Sequence, residues 1–132
     1  MNIKSISKII YLIFAIILFE KCEQENKIIT KQKCRCGDLV YDEAYNHYYK
    51  DERTLPYNGI CIELNKNGAL TLSKDFVEGK MQGEMIRYQK NGNRASLVEF
   101  DQNFIHGKAI FYDINGKDSV VQQYHRGKLV TE

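Results

Sequence analysis

The spacing of the glycines constrains the fold of this chain more than any other sequence feature. Eight of the nine glycines fall on a grid that repeats every 24 residues, and an asparagine occupies the remaining grid position. Asparagine is among the residues that best tolerate a positive φ, so the exception follows the same backbone rule as the glycines. The grid therefore predicts three copies of one structural unit over residues 57–130. Its positions are Gly59, Gly68, Gly79, Gly83, Gly92, Asn103, Gly107, Gly116 and Gly127.

Two turn signals recur in each copy, which predicts two strands per copy. Gly68, Gly92 and Gly116 each follow an asparagine, and Asn-Gly is a strong hairpin signal because a type I′ turn needs a positive φ at both central residues. The second turn reads Glu-Gly, Gln-Asn and Arg-Gly in the three copies, which is a weaker form of the same device. We therefore predict an all-β fold, an antiparallel up-and-down meander of about six strands built from three hairpin repeats.

The register of these strands follows by counting back from each turn, because side chains alternate between the two faces of a sheet. Aromatic–aliphatic partners contribute about 0.2–1 kcal/mol each, so stacking of the copies is expected to hold the sheet together. The predicted partners across the Asn-Gly turns are Ile62–Ser73, Ile86–Leu97 and Ile110–Val121, and across the second turns they are Phe76–Met81, Phe100–Ile105 and Tyr124–Leu129.

The repeat resembles the bacterial variant of the MORN repeat, whose pattern contains G-x-x-x-x-Y, then N-G, then Y-x-x-G-K-x-x-G. The second copy reads Gly83, Tyr88, Asn91-Gly92, Phe100, Asn103 and Gly107 at these points. Gly79-Lys80 and Gly127-Lys128 match the G-K step, whereas Asn103-Phe104 departs from it and is expected to weaken the middle junction without changing the period.

A second resemblance concerns the segment just before the repeats. Tyr48-Tyr49, followed by Leu-Pro-Tyr-Asn-Gly at 55–59, looks like the leading part of the YwqK-type family of toxin–antitoxin antitoxins. Together the two resemblances cover residues 45–130. They imply a module that binds another protein, such as a cognate toxin.

Residues 1–22 have the composition of an export signal. Lys4 and Lys8 precede an apolar run from Ile9 to Phe19, which as a helix would span about 16 Å of a hydrocarbon core of about 30 Å. A basic start and a short apolar run are typical of a secretory signal peptide. Cys22 and the acidic segment after it resemble a bacterial lipoprotein start, although residues 16–21, immediately before the cysteine, include no small residue. The alternatives are lipidation at Cys22 or an uncleaved hydrophobic anchor helix, and both predict an extracytoplasmic, membrane-anchored protein of the cell envelope.

Two segments separate this leader from the repeats. Residues 23–36 are polar and charged, which predicts a tether. Residues 37–56 are rich in tyrosine, and we expect them to form one or two strands or a short cap over the first repeat, since terminal units of repeat arrays are usually atypical. The functional alternative is a tyrosine-rich contact patch. The tyrosines concerned are Tyr41, Tyr45, Tyr48 and Tyr49.

The remaining cysteines leave three alternatives open. In an oxidising compartment Cys34 or Cys36 can pair with Cys61. A metal site from the three cysteines and His47 has suitable donor atoms but lacks paired C-x-x-C spacing. The state that the sequence favours is a set of unpaired, partly buried thiols. No bound metal or cofactor is expected.

Charge and motifs argue against nucleic-acid binding and against catalysis. Residues 1–22 carry three lysines and one glutamate, so the rest of the chain carries 16 basic and 16 acidic side chains and no net charge. A neutral domain has no basic face for a phosphate backbone. The sequence contains no G-x-S-x-G, H-E-x-x-H or phosphate-binding glycine motif, so we expect no enzyme. Of its three histidines, His47, His106 and His125, the two within the repeats, His106 and His125, are expected to be solvated side chains.

Candidate contact residues are those that differ between copies, because positions kept alike serve the fold. Arg87 corresponds to Glu63 and Phe111, and Arg94 corresponds to Leu70 and Asp118. Arginine and aromatic residues are enriched among interface anchors, so Arg87, Arg94 and Phe111 are the predicted partner-binding residues, with ordinary solvated side chains as the alternative. The sequence thus predicts an exported, membrane-anchored module that binds a protein partner. The competing prediction is a structural or membrane-apposed scaffold of the envelope.

Overall fold

The computed structural model describes residues 31–50 and 53–130, which form an all-β fold of ten strands and one short 3-10 helix. No helix in these ranges is long and apolar enough to cross a membrane. The predicted signal or anchor helix of residues 1–22, with Cys22, lies outside the described residues. The elements are β1 (Gln32–Arg35), the 3-10 helix (Cys36–Asp38), β2 (Leu39–Asp42), β3 (His47–Lys50), β4 (Gly59–Leu64), β5 (Leu70–Val77), β6 (Lys80–Tyr88), β7 (Arg94–Asp101), β8 (Phe104–Tyr112), β9 (Asp118–His125) and β10 (Lys128–Leu129).

Eight of the strands form one sheet in the order β1-β4-β5-β6-β7-β8-β9-β10, and β2 and β3 form a separate hairpin. Strands β4 to β9 are antiparallel neighbours in chain order, which confirms the predicted all-β meander. The sheet is larger than predicted because β10 adds a short strand at one edge and β1 adds a parallel strand at the other.

Strand β1 corrects the tether that the sequence predicts over residues 23–36. Residues 32–35 pair in parallel with β4, and residues 36–38 form the 3-10 helix. The polar composition of β1 is misleading because only Cys34 is buried, whereas Gln32, Lys33 and Arg35 are exposed. An edge strand with a single inward side chain has no periodicity from which it could be recognised.

The predicted register is confirmed at every pair named above. Ile62–Ser73, Ile86–Leu97 and Ile110–Val121 are Cα partners across the first turns, and Phe76–Met81, Phe100–Ile105 and Tyr124–Leu129 are partners across the second turns. The first set continues across the strands between, so that one face of the sheet carries a single row. We call it the repeated row: Ile62, Ser73, Ile86, Leu97, Ile110 and Val121.

All nine grid positions have a positive φ, but the predicted turn type holds only at the second turns. At the Asn-Gly turns only the glycine has a positive φ, so the type I′ assignment there is wrong. Both central residues are positive at the second turns, with φ of 49° and 76° at Glu78-Gly79 and 50° and 71° at Gln102-Asn103. The two-residue turns with type I′ character are therefore the second turns.

The Asn-Gly loops are three-residue loops closed by the same backbone hydrogen bond in each copy, and in the first and third copies the side chain of Asn65 or Asp113 also organises the backbone. The Oδ1 atom of Asn65 accepts hydrogen bonds from the backbone N–H groups of Asn67 and Ala69, at 2.8 and 3.0 Å. The N–H of Gly68 donates to the carbonyl of Asn65 at 2.9 Å, which closes a type I turn followed by a left-handed glycine. The register shifts just before each loop, between Glu63 and Leu64 in the first copy.

The hairpin of β2 and β3 covers the start of the repeat sheet. The N–H of Tyr48 donates to the carbonyl of Gly79 at 2.6 Å, and the N–H of Tyr57 donates to the carbonyl of Tyr48 at 2.9 Å. The ring of Tyr48 meets that of Phe76 edge-on, with centroids 5.0 Å apart. Beneath the hairpin lies the core cluster of Cys34, Tyr57, Cys61 and Phe76, against which Cys36, Leu39, Tyr48 and Met81 pack.

Candidate protein-binding surface

A second row of side chains crosses the face of the sheet opposite the repeated row. Cα partners connect it from β4 to β9, and it contains two of the three residues predicted to contact a partner. Neighbouring strands lie about 4.8 Å apart, so Arg87 on β6 and Phe111 on β8 are separated by about 10 Å, with Ser96 between them. We call this set the variable row: Glu63, Leu72, Arg87, Ser96, Phe111 and Val120.

Burial varies along the variable row, and its β8–β9 end is exposed. Leu72 is 2% exposed and Ser96 is 6% exposed, whereas Phe111 and Val120 are 41% and 47% exposed. Ser96 is small, and the much longer side chains of Arg87 and Phe111 flank it on the two neighbouring strands. The row therefore presents a guanidinium group and an aromatic ring, with an aliphatic side chain next to the ring.

Exposed apolar side chains are concentrated in the third copy. Among the large hydrophobic residues, the buried ones lie within 34–98, and the third copy contributes only the small residue Ala109 to the core. The β8–β9 end of the sheet therefore has no covering layer among the described residues. The exposed large hydrophobic residues at this end are Phe104, Phe111, Ile114, Val120, Val121, Leu129 and Val130.

Arg94 is exposed but lies apart from the variable row. It begins β7 and is the Cα partner of Tyr88, beyond the register shift that separates Arg87 from Tyr88. Its carbonyl accepts a hydrogen bond from Gln89 Nε2 at 3.1 Å, and the same amide nitrogen lies 2.6 Å from the carbonyl of Asp113. The structure thus brings Arg87 and Phe111 into one row and leaves Arg94 at the loop end of its strand. Sequence comparison between copies missed Ser96 and Val120, although counting the register from the turns would have placed both.

Of the tyrosines in the alternative contact patch, Tyr41 and Tyr45 are exposed and Tyr48 packs on the core. Burial, and next to it the Tyr41 hydroxyl, raise the pKa of Tyr48 above its usual value. The Tyr41 hydroxyl donates to Asn46 Oδ1 at 2.7 Å, so its polar end is held within the hairpin. Only Tyr45 extends freely from this segment.

The cysteines correct the expectation of unpaired thiols. Cys36 and Cys61 form a disulfide with a Cα–Cα distance of 4.8 Å, and Cys34 is a buried thiol without a bridging partner among the described residues. The bridge also removes two of the ligands that the metal alternative requires. In the ranges 31–50 and 53–130 no three His, Cys, Asp or Glu side chains are grouped as metal ligands. The sequence could not select the pairing because it depends on the parallel strand β1.

Tyr57 is the polar group most deeply set in this part of the core. Its hydroxyl lies 3.1 Å from the carbonyl oxygens of both Gln32 and Ile60, to which it can donate. Burial raises the pKa of Tyr57 well above its usual value, and a hydrogen bond with the side chain of Cys34 raises it further. The phenol therefore stays protonated and remains a donor.

Two open grooves lie away from the exposed end of the variable row. One, of about 660 Å³, runs beside the 3-10 helix between Cys36, Asp38, Ile62 and Leu64. The other, of about 500 Å³, lies between Glu84, Glu99, Asp101 and His106. His106 and His125, which the sequence predicts to be solvated, are neighbours with ring centroids 5.0 Å apart.

Comparison of the chain with family models, with curated proteins and with solved structures gave no match.

Proposed function

We propose that this chain is a protein-binding module built from three MORN-like hairpin repeats and held at the bacterial cell envelope by its N-terminal segment. In this proposal residues 1–22 are a hydrophobic signal or anchor helix, and Cys22 is the candidate for lipidation. The module has no catalytic activity and uses no cofactor. The binding partner is a protein, and an antitoxin or immunity role toward a toxin fits the family that the repeats resemble.

The observation that carries this proposal is the exposed end of the variable row. Phe111 and Val120 are neighbours on adjacent strands, both are more than two fifths exposed, and Arg87 lies two strands away on the same face. Arginine and aromatic side chains are both enriched in the cores of protein–protein interfaces. Scattered exposed apolar residues are ordinary on protein surfaces. Phe111 and Val120, in contrast, are adjacent to each other and belong to the same copy.

The chemistry of this surface indicates the partner's side of the contact. The ring of Phe111 and the side chain of Val120 require an apolar patch. Arg87 makes neither of the ion pairs found among the described residues, and its planar donor fork suits a carboxylate. We therefore expect a protein that presents an acidic side chain about 10 Å from an apolar patch. The balanced charge of residues 23–132 gives no basis for binding nucleic acid or for strong attraction to anionic lipid.

The test is a pull-down with a triple variant in which Arg87, Arg94 and Phe111 are replaced by alanine. A matched control replaces Glu84, Lys108 and Gln123, which are also exposed and lie on the opposite face. Both variants must keep the circular dichroism and melting temperature of the parent. We expect the first variant to lose a specific partner that the control retains. Retention of every partner by both variants would show that the variable row does not bind.

A second candidate function, a structural scaffold of the envelope, is favoured by one separate observation. On the outer edge of β9, strand β10 pairs only with Tyr124 and His125. The outer edge from Asp118 to Gln122, on the side away from β8, therefore has no neighbouring strand among the described residues. An open edge can pair with a strand of another molecule. In that case the protein would self-associate, and sedimentation would show larger species whose proportion falls in a Val121→Lys variant.

A further inference from the structure

Three cysteines meet where β1, β4 and the 3-10 helix join. Cys61 on β4 is bridged to Cys36 at the start of the 3-10 helix. Cys34 on β1 is the direct Cα partner of the same Cys61 in the parallel pairing. Cys34 and Cys61 belong to one buried cluster, against which Cys36 packs. The free thiol of Cys34 therefore belongs to the residue paired with Cys61, which forms the disulfide with Cys36.

The backbone geometry suits either bridge. Paired strands in a sheet lie about 4.8 Å apart, and disulfides join Cα atoms that are roughly 4.4–6.8 Å apart. The existing bridge spans 4.8 Å between the Cα atoms of Cys36 and Cys61. Side chains of directly opposite residues in a parallel pair point to the same face, so the Cys34 sulfur is directed to the side of the sheet where the Cys61 sulfur lies.

We propose that Cys34, Cys36 and Cys61 form an internal thiol–disulfide exchange site, in which Cys61 changes its partner from Cys36 to Cys34 and Cys36 becomes a modifiable thiol. Cys34 first gives its proton to solvent. Its thiolate sulfur then attacks the Cys61 sulfur, a Cys34–Cys61 bond forms, and the Cys36–Cys61 bond breaks. The electron pair of the broken bond leaves with the Cys36 sulfur, which takes up a proton. One disulfide and one thiol are present before and after the step, so no external oxidant or reductant is consumed.

The surroundings support such an exchange. The Tyr57 side chain hydrogen-bonds Cys34, and burial keeps its phenol protonated by raising its pKa. This contact places the Cys34 side chain within the buried cluster that also holds Cys61, and the thiolate is the attacking species in exchange. The step links two residues that are already neighbours in the sheet, so it requires no rearrangement of β4.

The consequence of exchange falls on the 3-10 helix. In the observed state the bridge ties Cys36 to β4, and Cys36 lines the groove of about 660 Å³ with Asp38, Ile62 and Leu64. After exchange β1 is bridged to β4, whereas residues 36–38 are no longer tied. The released thiol lies in that groove, where a thiol-directed reagent can reach it. The exchanged form thus presents a reactive group that the observed form hides in a bridge.

The test is peptide mapping of the oxidised full-length protein held at neutral pH without reductant. Samples are quenched with acid, unfolded, alkylated with N-ethylmaleimide and digested with trypsin. Cleavage after Lys33 and Arg35 separates Cys34 from Cys36, and cleavage after Lys21 and Lys27 isolates Cys22. We expect label on Cys36 and a Cys34–Cys61 cross-linked peptide at roughly a tenth or more of the total, because exchange makes and breaks the same type of bond. Label on Cys34 and never on Cys36 would overturn the proposal.

Two variants act as controls. Cys34→Ser removes the attacking sulfur but keeps the observed bridge, so label on Cys36 should disappear. If Cys36 is labelled to the same degree in this variant, another thiol or simple reduction is responsible and the proposed exchange is wrong. Cys36→Ser removes the leaving sulfur, and after treatment with oxidised glutathione we expect its Cys34 and Cys61 to be fully bridged. If both remain free in the folded variant, the two sulfurs do not meet and the proposal fails.

Discussion

The side-chain amide of Asn103 holds the backbone of Asn46, a residue 57 positions earlier in the chain. Its Nδ2 atom donates to the Asn46 carbonyl at 3.0 Å and to the Asn46 Oδ1 atom at 2.9 Å. Its own Oδ1 atom accepts the backbone N–H of Met81 at 2.7 Å. The one grid position that is not glycine is therefore the position that attaches the N-terminal hairpin to the second repeat.

This relationship predicts that Asn103→Gly destabilises the protein although it restores the glycine of the repeat pattern. The backbone at φ 71° tolerates glycine, but three side-chain hydrogen bonds are lost. At about 1 kcal/mol for each net hydrogen bond, we expect a loss of about 1–3 kcal/mol in the free energy of unfolding. Denaturant unfolding measures it. Gly127→Asn, at the equivalent position without a hairpin, serves as the control. Equal or greater stability of Asn103→Gly would contradict the role of the amide.

A second prediction separates backbone strain from crowding at Gly92. Its φ is 87°, and no atom lies within 4 Å of the position a Cβ atom would occupy. A substitution there therefore strains only the backbone. We expect Gly92→Val to cost about 1–3 kcal/mol, and Gly92→Asn to cost less because asparagine tolerates the left-handed conformation. Melting temperatures compare the two variants, and equal values would argue against a left-handed backbone at this position.

Gly79 provides the opposite case at nearly the same φ. A Cβ atom there would lie 2.8 Å from the Pro56 Cβ atom and 2.9 Å from the His47 Cδ2 atom, whereas at Gly68 it would meet nothing within 4 Å. We therefore expect Gly79→Ala to cost about 1–3 kcal/mol more than Gly68→Ala, since overpacking adds to a similar backbone strain. Denaturant unfolding of the pair tests whether the hairpin is closely packed on this turn. Similar losses in both variants would indicate that it is not.

The raised pKa of the buried Tyr57 side chain predicts that the protein loses stability in alkaline solution. Burial raises the pKa of Tyr57 in the folded protein above the ordinary value of 10.0. A group with a raised folded pKa stabilises the fold fully below its unfolded pKa, and this contribution declines as the pH rises above about 10. We expect Tyr57→Phe to flatten the decline of unfolding free energy above this pH, while lowering stability at neutral pH because two carbonyl groups lose their donor. An unchanged alkaline slope would contradict the assignment.

The anchoring proposal predicts that Cys22→Ser changes how the protein is retained at the membrane. If Cys22 carries lipid, the variant no longer incorporates radiolabelled palmitate and is released as soluble protein. The comparison is made by labelling and by fractionation of cells. A variant that stays in the membrane, together with an unlabelled parent, would instead support an uncleaved anchor.

The sequence alone determined the features that depend on local backbone conformation, namely the positive-φ positions and the strand register. The ability to adopt a positive φ is largely a property of single residues, and all nine positions of the 24-residue grid, Asn103 included, have a positive φ. Turn positions then predicted the pairing, because a register counted from a turn involves only a few neighbouring residues. By the same counting, Arg87 and Phe111 share a face. The type I′ turn predicted from Asn-Gly is wrong because the asparagine keeps a negative φ, and Asn65 and Asp113 accept hydrogen bonds within three-residue loops instead.

The tertiary structure decided what depends on contacts between distant residues. Strand β1 exists because β4 offers it an edge, and its own composition is that of a solvated segment. The Cys36–Cys61 bridge follows from that pairing across 25 residues. The register shift before the Asn-Gly loop pairs Arg94 with Tyr88. In the first two cases the stabilising contacts form between two segments that are distant in the chain. Neither segment has a sequence pattern that identifies the other as its partner.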